Sequence, residues 1–167
     1  MGTIARTLAP GFFLALFVSS ALAASASMLA DKVVVMKEER RLVLLCHGEI
    51  LKSYKVSIGR RPGRKVRQGD GRTPEGIYTI DRRNPKSRFY KALHISYPNA
   101  SDVGSARKLG ASPGGDVLIH GLPRGFEDLG DSQSSINWTK GCIAVSNAEM
   151  DEIWQLVPDG IPVEIIP

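Results

Sequence analysis

Between Val33 and Ile58, three runs of β-branched or alternating apolar character, VVVMK, RLVLLC and LKSYKVSI, are separated by little more than EER and HGE. Such short polar connections leave no room for crossover helices, so the runs read as an antiparallel meander closed by tight turns. In the third run Leu51, Ser53, Lys55 and Ser57 share one face and Lys52, Tyr54, Val56 and Ile58 the other, an imperfect split. Strand character returns at Gly76 to Ile80, Leu93 to Ser96, Val117 to His120 and Val163 to Ile166, with the NPKS stretch (84–87) marking a turn. A chain built from these pieces is mainly β. Seventeen glycines and ten prolines supply its turns.

Helical signals are few. Residues 102–110 offer a turn or two, with Ser101 or Asp102 as cap and Gly110 as stop. The glycine-rich polar stretch 124–135 reads as a surface loop or short helix. The one well-defined helix lies in the C-terminal half: in SNAEMDEIWQLVPDG, Ser146 and Glu149 match a capping box, while Met150, Ile153, Trp154 and Val157 form one apolar face.

Residues 1–23 have the make-up of a secretory signal: Arg6, an apolar run from Phe12 to Leu22, then Ala-x-Ala triplets that place cleavage after Ala23 or Ala26. An uncleaved anchor is the alternative, although the run is shorter than the ~20 residues that span a bilayer. The remainder, 27–167, is of a length for one folded domain, and its expected place is outside the cytoplasm, in the periplasm or cell envelope, without stable membrane insertion. Apolar content of 43% with 23% charge excludes a disordered chain. The net charge of +5 is concentrated in RRPGRKVRQGDGR (60–72). That run is either a solvated glycine-broken loop or a site for an anionic wall polymer or lipid surface; no nucleic-acid motif surrounds it.

Only two cysteines are present, Cys46 and Cys142. In a secreted chain they can form a disulfide. Alternatively, Cys46 ends an apolar run as a small core residue, while Cys142, after Gly141 and shortly before a helix start, is a nucleophile. His120, ending an apolar strand in the sequence HGLP, is then its candidate base, or else a hydrogen-bonded structural histidine. His47 falls in a turn and His94 within a strand, and neither has that ending. The cysteines and histidines lack the paired spacing of a metal site, and no cofactor is implied.

These residues resemble the L,D-transpeptidase catalytic domain family (YkuD-type). His120-Gly121, Thr139-x-Gly141-Cys142-Ile143 and Arg72-Thr73-Pro74-Glu75-Gly76-Ile77-Tyr78 match its patterns in order. Lys140 stands where histidine is frequent, and Ala144 where arginine or asparagine is frequent. The resemblance implies a β-sandwich or barrel-like domain with the site in a groove, acting on peptidoglycan stem peptides. Cys142 would attack the carbonyl of a diamino acid and expel D-alanine, and the resulting thioester would pass to an amine, that of a wall-attached protein among the possibilities. His120 would serve as base and acid, oriented by a carbonyl near Gly121. The N–H groups of Gly141 and Cys142 would hold the oxyanion; Thr139 would contact substrate or serve as a turn hydroxyl, Trp138 would line the substrate groove or pack, and Lys140 would supply positive charge at the site or stand exposed without a role. Hydrolysis by the same pair, and a catalytically silent wall-binding module, are the competing readings.

Overall fold

A computed structural model describes Gly2 and residues 28–167; the expected signal segment lies outside the described residues. The meander forms as its spacing dictates, with β1 (Lys32–Met36), β2 (Arg41–Cys46) and β3 (Glu49–Lys55) paired antiparallel. Their turns place Arg40 and His47 at positive φ, 50° and 52°. The alternation of the third run is resolved by burial: Tyr54, Val56 and Ile58 lie in the core, and Lys52 stays in solvent.

The later strands are β4 (Gly76–Ser87), β5 (Tyr90–Ile95), β6 (Leu118–His120), β7 (Ile143–Ala144) and β8 (Pro162–Ile166). All eight belong to one sheet ordered β3-β2-β1-β8-β4-β5-β6-β7. Its two ends meet. Ser57, just past β3, exchanges both backbone hydrogen bonds with Ala144 of β7, at 2.9 and 2.8 Å, so the sheet curls into a barrel-like closure. Closure buries an interior face dominated by Leu42, Leu44, Ile80, Leu93, Ile119 and Ile143, each fully sequestered. At ~25 cal/mol per Å² of apolar surface, each such side chain contributes about 1.5–3 kcal/mol of burial free energy.

Several local expectations are corrected. NPKS is not a turn: β4 runs through it to Ser87, an irregularity between Asn84 and Ser87 absorbing the proline, and the chain reverses at Arg88 and Phe89. A second α-helix exists, α1 (Ala100–Lys108), and its cap is Asn99, not Ser101 or Asp102. Asn99 Oδ1 accepts the Ser101 and Asp102 N–H groups, while the Asp102 carboxylate accepts the Asn99 N–H, a reciprocal box that the Asn-x-x-Asp spacing could have disclosed. Stretch 124–135 does contain helix: two short 3₁₀ pieces within Glu127–Ser135 that meet at a kink at Gly130.

The C-terminal helix, α2 (Asn147–Leu156), has the expected Ser146/Glu149 capping box and buries Met150 and Ile153. Arg83 finishes it from β4: its guanidinium donates to the carbonyls of Trp154 and Val157, pairs with Asp159 at 2.7 Å and lies over the Trp154 ring. A cation there satisfies the carbonyls that a helix end leaves without partners.

The basic run 60–72 is not simply solvated. Asp70, buried, accepts the N–H groups of Val66, Arg67 and Arg72 and pairs with buried Lys65 at 3.2 Å. Burial opposes its charge, but those three N–H groups and Lys65 outweigh it and hold the carboxyl below its usual range. Arg64 reaches Asp102, which also accepts the Tyr78 hydroxyl at 2.9 Å. The run is therefore a knitted strap whose end, Arg72 and Thr73, lies against the cysteine loop.

Candidate active site

Parallel pairing of β6 with β7 sets His120 opposite Ala144. Cys142 lies two residues before Ala144, so by strand parity its side chain falls on the same face as His120, diagonally displaced. Two hydrogen bonds hold this arrangement. The Val145 N–H donates to the His120 carbonyl at 3.0 Å. Asn147 Oδ1, in the first turn of α2, accepts the Leu122 N–H at 2.8 Å, tying the HGL exit to the helix. Gly121 is required by that tie, because a Cβ would come within 2.6 Å of Asn147 Oδ1.

The cysteine loop is pinned from the other side. Thr139 exchanges backbone bonds with Ile58 and Arg60, at 3.2 and 3.1 Å. Gly141 has φ 134°, and a methyl group there would sit 2.6 Å from the Arg72 carbonyl oxygen. Thr73 completes the clamp, its hydroxyl accepting the Gly59 N–H at 2.8 Å. Thr73, Thr139 and Gly141 thus serve close backbone approach around Cys142.

His120 is 1% exposed. Its Nδ1 stands 2.6 Å from the Gly121 carbonyl oxygen. A carbonyl only accepts, so Nδ1 carries the proton and Nε2 keeps a free lone pair. Phe89 stacks on the ring at 4.4 Å and Trp138 meets it edge-on at 5.9 Å. Burial pushes the imidazole pKa down to about 4, Arg88 adding to the fall and the Gly121 contact opposing it. Burial likewise pushes the Cys142 thiol up, against the Leu118 N–H and Arg88. The resting pair is a neutral thiol and a neutral imidazole. Cys46 and Cys142 are both free, so the disulfide alternative is not realised.

Both residues open onto one cavity of about 790 Å³, also lined by Arg82, Arg88, Phe89, His94, Asp116, Leu118, Trp138, Thr139 and Lys140. The oxyanion expectation divides here. The Gly141 N–H already donates to Thr139 Oγ1 at 3.1 Å, and that hydroxyl donates to the Cys142 carbonyl at 2.7 Å. The Cys142 N–H takes part in no hydrogen bond among the described residues, which leaves it free for a ligand. Thr139 therefore spends its hydroxyl on the turn. Trp138 is set by its indole N–H on Gln133 Oε1 at 3.3 Å, and Lys140 is exposed at the cavity. Ala144 does not line it, being fully buried in the barrel closure.

Sequence reasoning passed over much of this cavity, Arg88, Phe89, Asp116 and His94 among its lining residues. Arg88 and Phe89 form the β4–β5 reversal that had been placed at NPKS, and Asp116 ends a loop with φ 52°. His94 is within a strand as expected, yet its side chain faces the cavity; its pairing opposite Arg82 was not legible without the strand register.

The curled β-sheet thus brings a histidine at the end of β6 and a cysteine just before the parallel strand β7 to one open cationic cavity. Comparison with known proteins gives the family: residues 30–165 match the L,D-transpeptidase catalytic domain (YkuD), and the chain belongs to it. It is 37% identical over 132 residues to the Escherichia coli K12 protein named "Putative L,D-transpeptidase YafK", covering 75% of this chain and 46% of that one. It thus spans about half the length of the curated relatives it matches. The helical cell shape determining protein Pgp2 of Campylobacter jejuni superposes with a TM-score of 0.61 at 26% identity, covering 83% of this chain and 48% of that one. An L,D-transpeptidase of Mycobacterium smegmatis shares the fold, with a TM-score of 0.56 at 20% identity over 83% of this chain and 59% of that one. Among the described residues no helix is long and apolar enough to cross a membrane.

Proposed function

We propose that this domain is an exported cysteine acyltransferase that acts on peptidoglycan stem peptides in the cell envelope. The observation that carries the reading is the free Nε2 of His120, its tautomer set by the Gly121 carbonyl, on the same cavity as the free thiol Cys142. Cys142 Sγ attacks the carbonyl of the stem's diamino acid; the C–S bond forms as the C–N bond to terminal D-alanine breaks. The thiol proton passes to His120 Nε2 and then to the leaving amine. Because both partners rest neutral, proton transfer accompanies attack and no thiolate is stored beforehand.

The Cys142 N–H receives the developing oxyanion. The donor stem carries carboxylates, and Arg82, Arg88 and Lys140 give the cavity a positive field that favours them. An acceptor amine resolves the thioester. Incubation with purified tetrapeptide muropeptides, followed by mass analysis, tests the reading. Dimers or exchanged terminal residues are expected; simple loss of D-alanine indicates hydrolysis by the same pair. An unchanged pool together with retained wall binding in Cys142→Ala indicates a silent binding module.

A further inference from the structure

His94, unused in the mechanism above, has an arrangement of its own on the same cavity. Its Nδ1 lies 2.5 Å from Asp81 Oδ1, and its Nε2 lies 3.8 Å from Asp116 Oδ1. An ionised carboxylate only accepts, so Asp81 holds the proton on Nδ1 and leaves Nε2 as a bare lone pair. The gap to Asp116 is too long for a hydrogen bond, and the Asp116 side chain is 89% exposed. Asp116 also borders the nucleophile: Cys142 Sγ stands 3.6 Å from its carbonyl oxygen. One residue thus spans from the thiol to the second histidine. The other charged groups lining the cavity are Arg82 of β4, 3.8 Å from Asp116, and Arg83, Arg88 and Lys140, with the neutral His120 beside them.

We propose that His94, held by Asp81 and flanked by Asp116, is the acceptor-side base of the domain: it binds a primary ammonium and removes its first proton. This rests on the acyl-transfer reading. An alkylamine with a pKa near 10.4 is neutral in roughly one molecule per thousand or fewer at pH 7. The ammonium gives a proton to His94 Nε2, and the imidazolium releases it to solvent. The neutral amine then attacks the Cys142 thioester: the C–N bond forms, the C–S bond breaks, and the second amine proton passes through His120 to the sulfur. Water needs no such first deprotonation from a cation, so this corner selects amine over water as the resolving nucleophile.

The test compares two acceptors in one enzyme: N-α-acetyl-lysine, protonated at pH 7, and hydroxylamine, largely unprotonated there. Each is supplied with tetrapeptide muropeptide, and the products are quantified by mass. In His94→Gln the ratio of lysine product to hydroxylamine product falls by about 10-fold or more, and it recovers as pH approaches the amine pKa. Asp81→Asn, which keeps the imidazole but loses its carboxylate, lowers the same ratio less, and serves if His94→Gln fails to fold. A ratio and pH profile equal to wild type in both variants overturns the proposal while leaving acyl transfer intact. Absence of any acyl-Cys142 in wild type overturns the underlying reading and this one with it.

Discussion

Replacement of Gly141 by alanine exposes the logic of the site most sharply. The residue has φ 134°, and the added methyl would meet the Arg72 carbonyl oxygen at 2.6 Å, a separation that real Cβ contacts do not show. Arg72 cannot withdraw freely, since its N–H donates to Asp70 at 3.1 Å and its neighbour Thr73 is bonded to Gly59 at 2.8 Å. Strain at such a φ costs about 1–3 kcal/mol. Displacing packed backbone costs about as much again. Together these reach roughly 2–6 kcal/mol, a large part of the 5–15 kcal/mol that a domain of this size typically possesses. Calorimetry should show Tm lowered by about 10 °C or more. Cys142 is the next residue, and a displacement of ~1 Å lowers acylation about 100-fold. A variant with wild-type Tm and wild-type acylation rate would refute the claim that backbone contact with the 60–72 strap sets the position of Cys142.

Three further outcomes follow from the same geometry. With His120 at about 4 when folded and about 6.5 when unfolded, the unfolded chain binds more protons between those values. Stability is therefore lost as pH falls through that window, by up to about 3 kcal/mol. Urea unfolding at pH 7 and pH 5 should show a smaller acid loss in His120→Gln, whereas parallel losses contradict the buried neutral imidazole. Asp70→Ala strands Lys65 and three backbone N–H groups, costing about 3–5 kcal/mol in urea unfolding; a cost below ~1 kcal/mol denies the strap its role. Alkylation of Cys142 by iodoacetamide should climb with pH to a midpoint above that of an ordinary thiol, because burial raises its pKa. An inflection below pH 7 would reveal a stored thiolate.

Much of this molecule could be read from local pattern. The meander, α2 with its Ser146/Glu149 box, and the pairing of His120 with Cys142 on one cavity depend on short-range periodicity and on motif order, which a sequence carries directly. Closure by Ser57 and Ala144 does not, since it joins segments 87 residues apart through backbone atoms that any residue type supplies. Asp70 looked like one charge in a basic run, and only the folded loop shows three amides converging on it. His94 was set aside for lying within a strand. That placement was right, but which face of β5 meets the cavity depends on the register with β4, irregular between Ile80 and Arg82. Lys140 and Ala144 departed equally from the family pattern; the structure separates them into an exposed cavity residue and a buried barrel residue.

The most direct test of the central claim is intact-protein mass spectrometry of the mature domain, mixed with tetrapeptide muropeptide and quenched in acid within the first turnover. The account predicts a mass increase equal to the muropeptide less D-alanine, mapped by digestion to Cys142. The adduct should be missing in Cys142→Ala and strongly reduced in His120→Gln. Turnover of the muropeptide by Cys142→Ala, or an adduct that maps to Cys46, would contradict it.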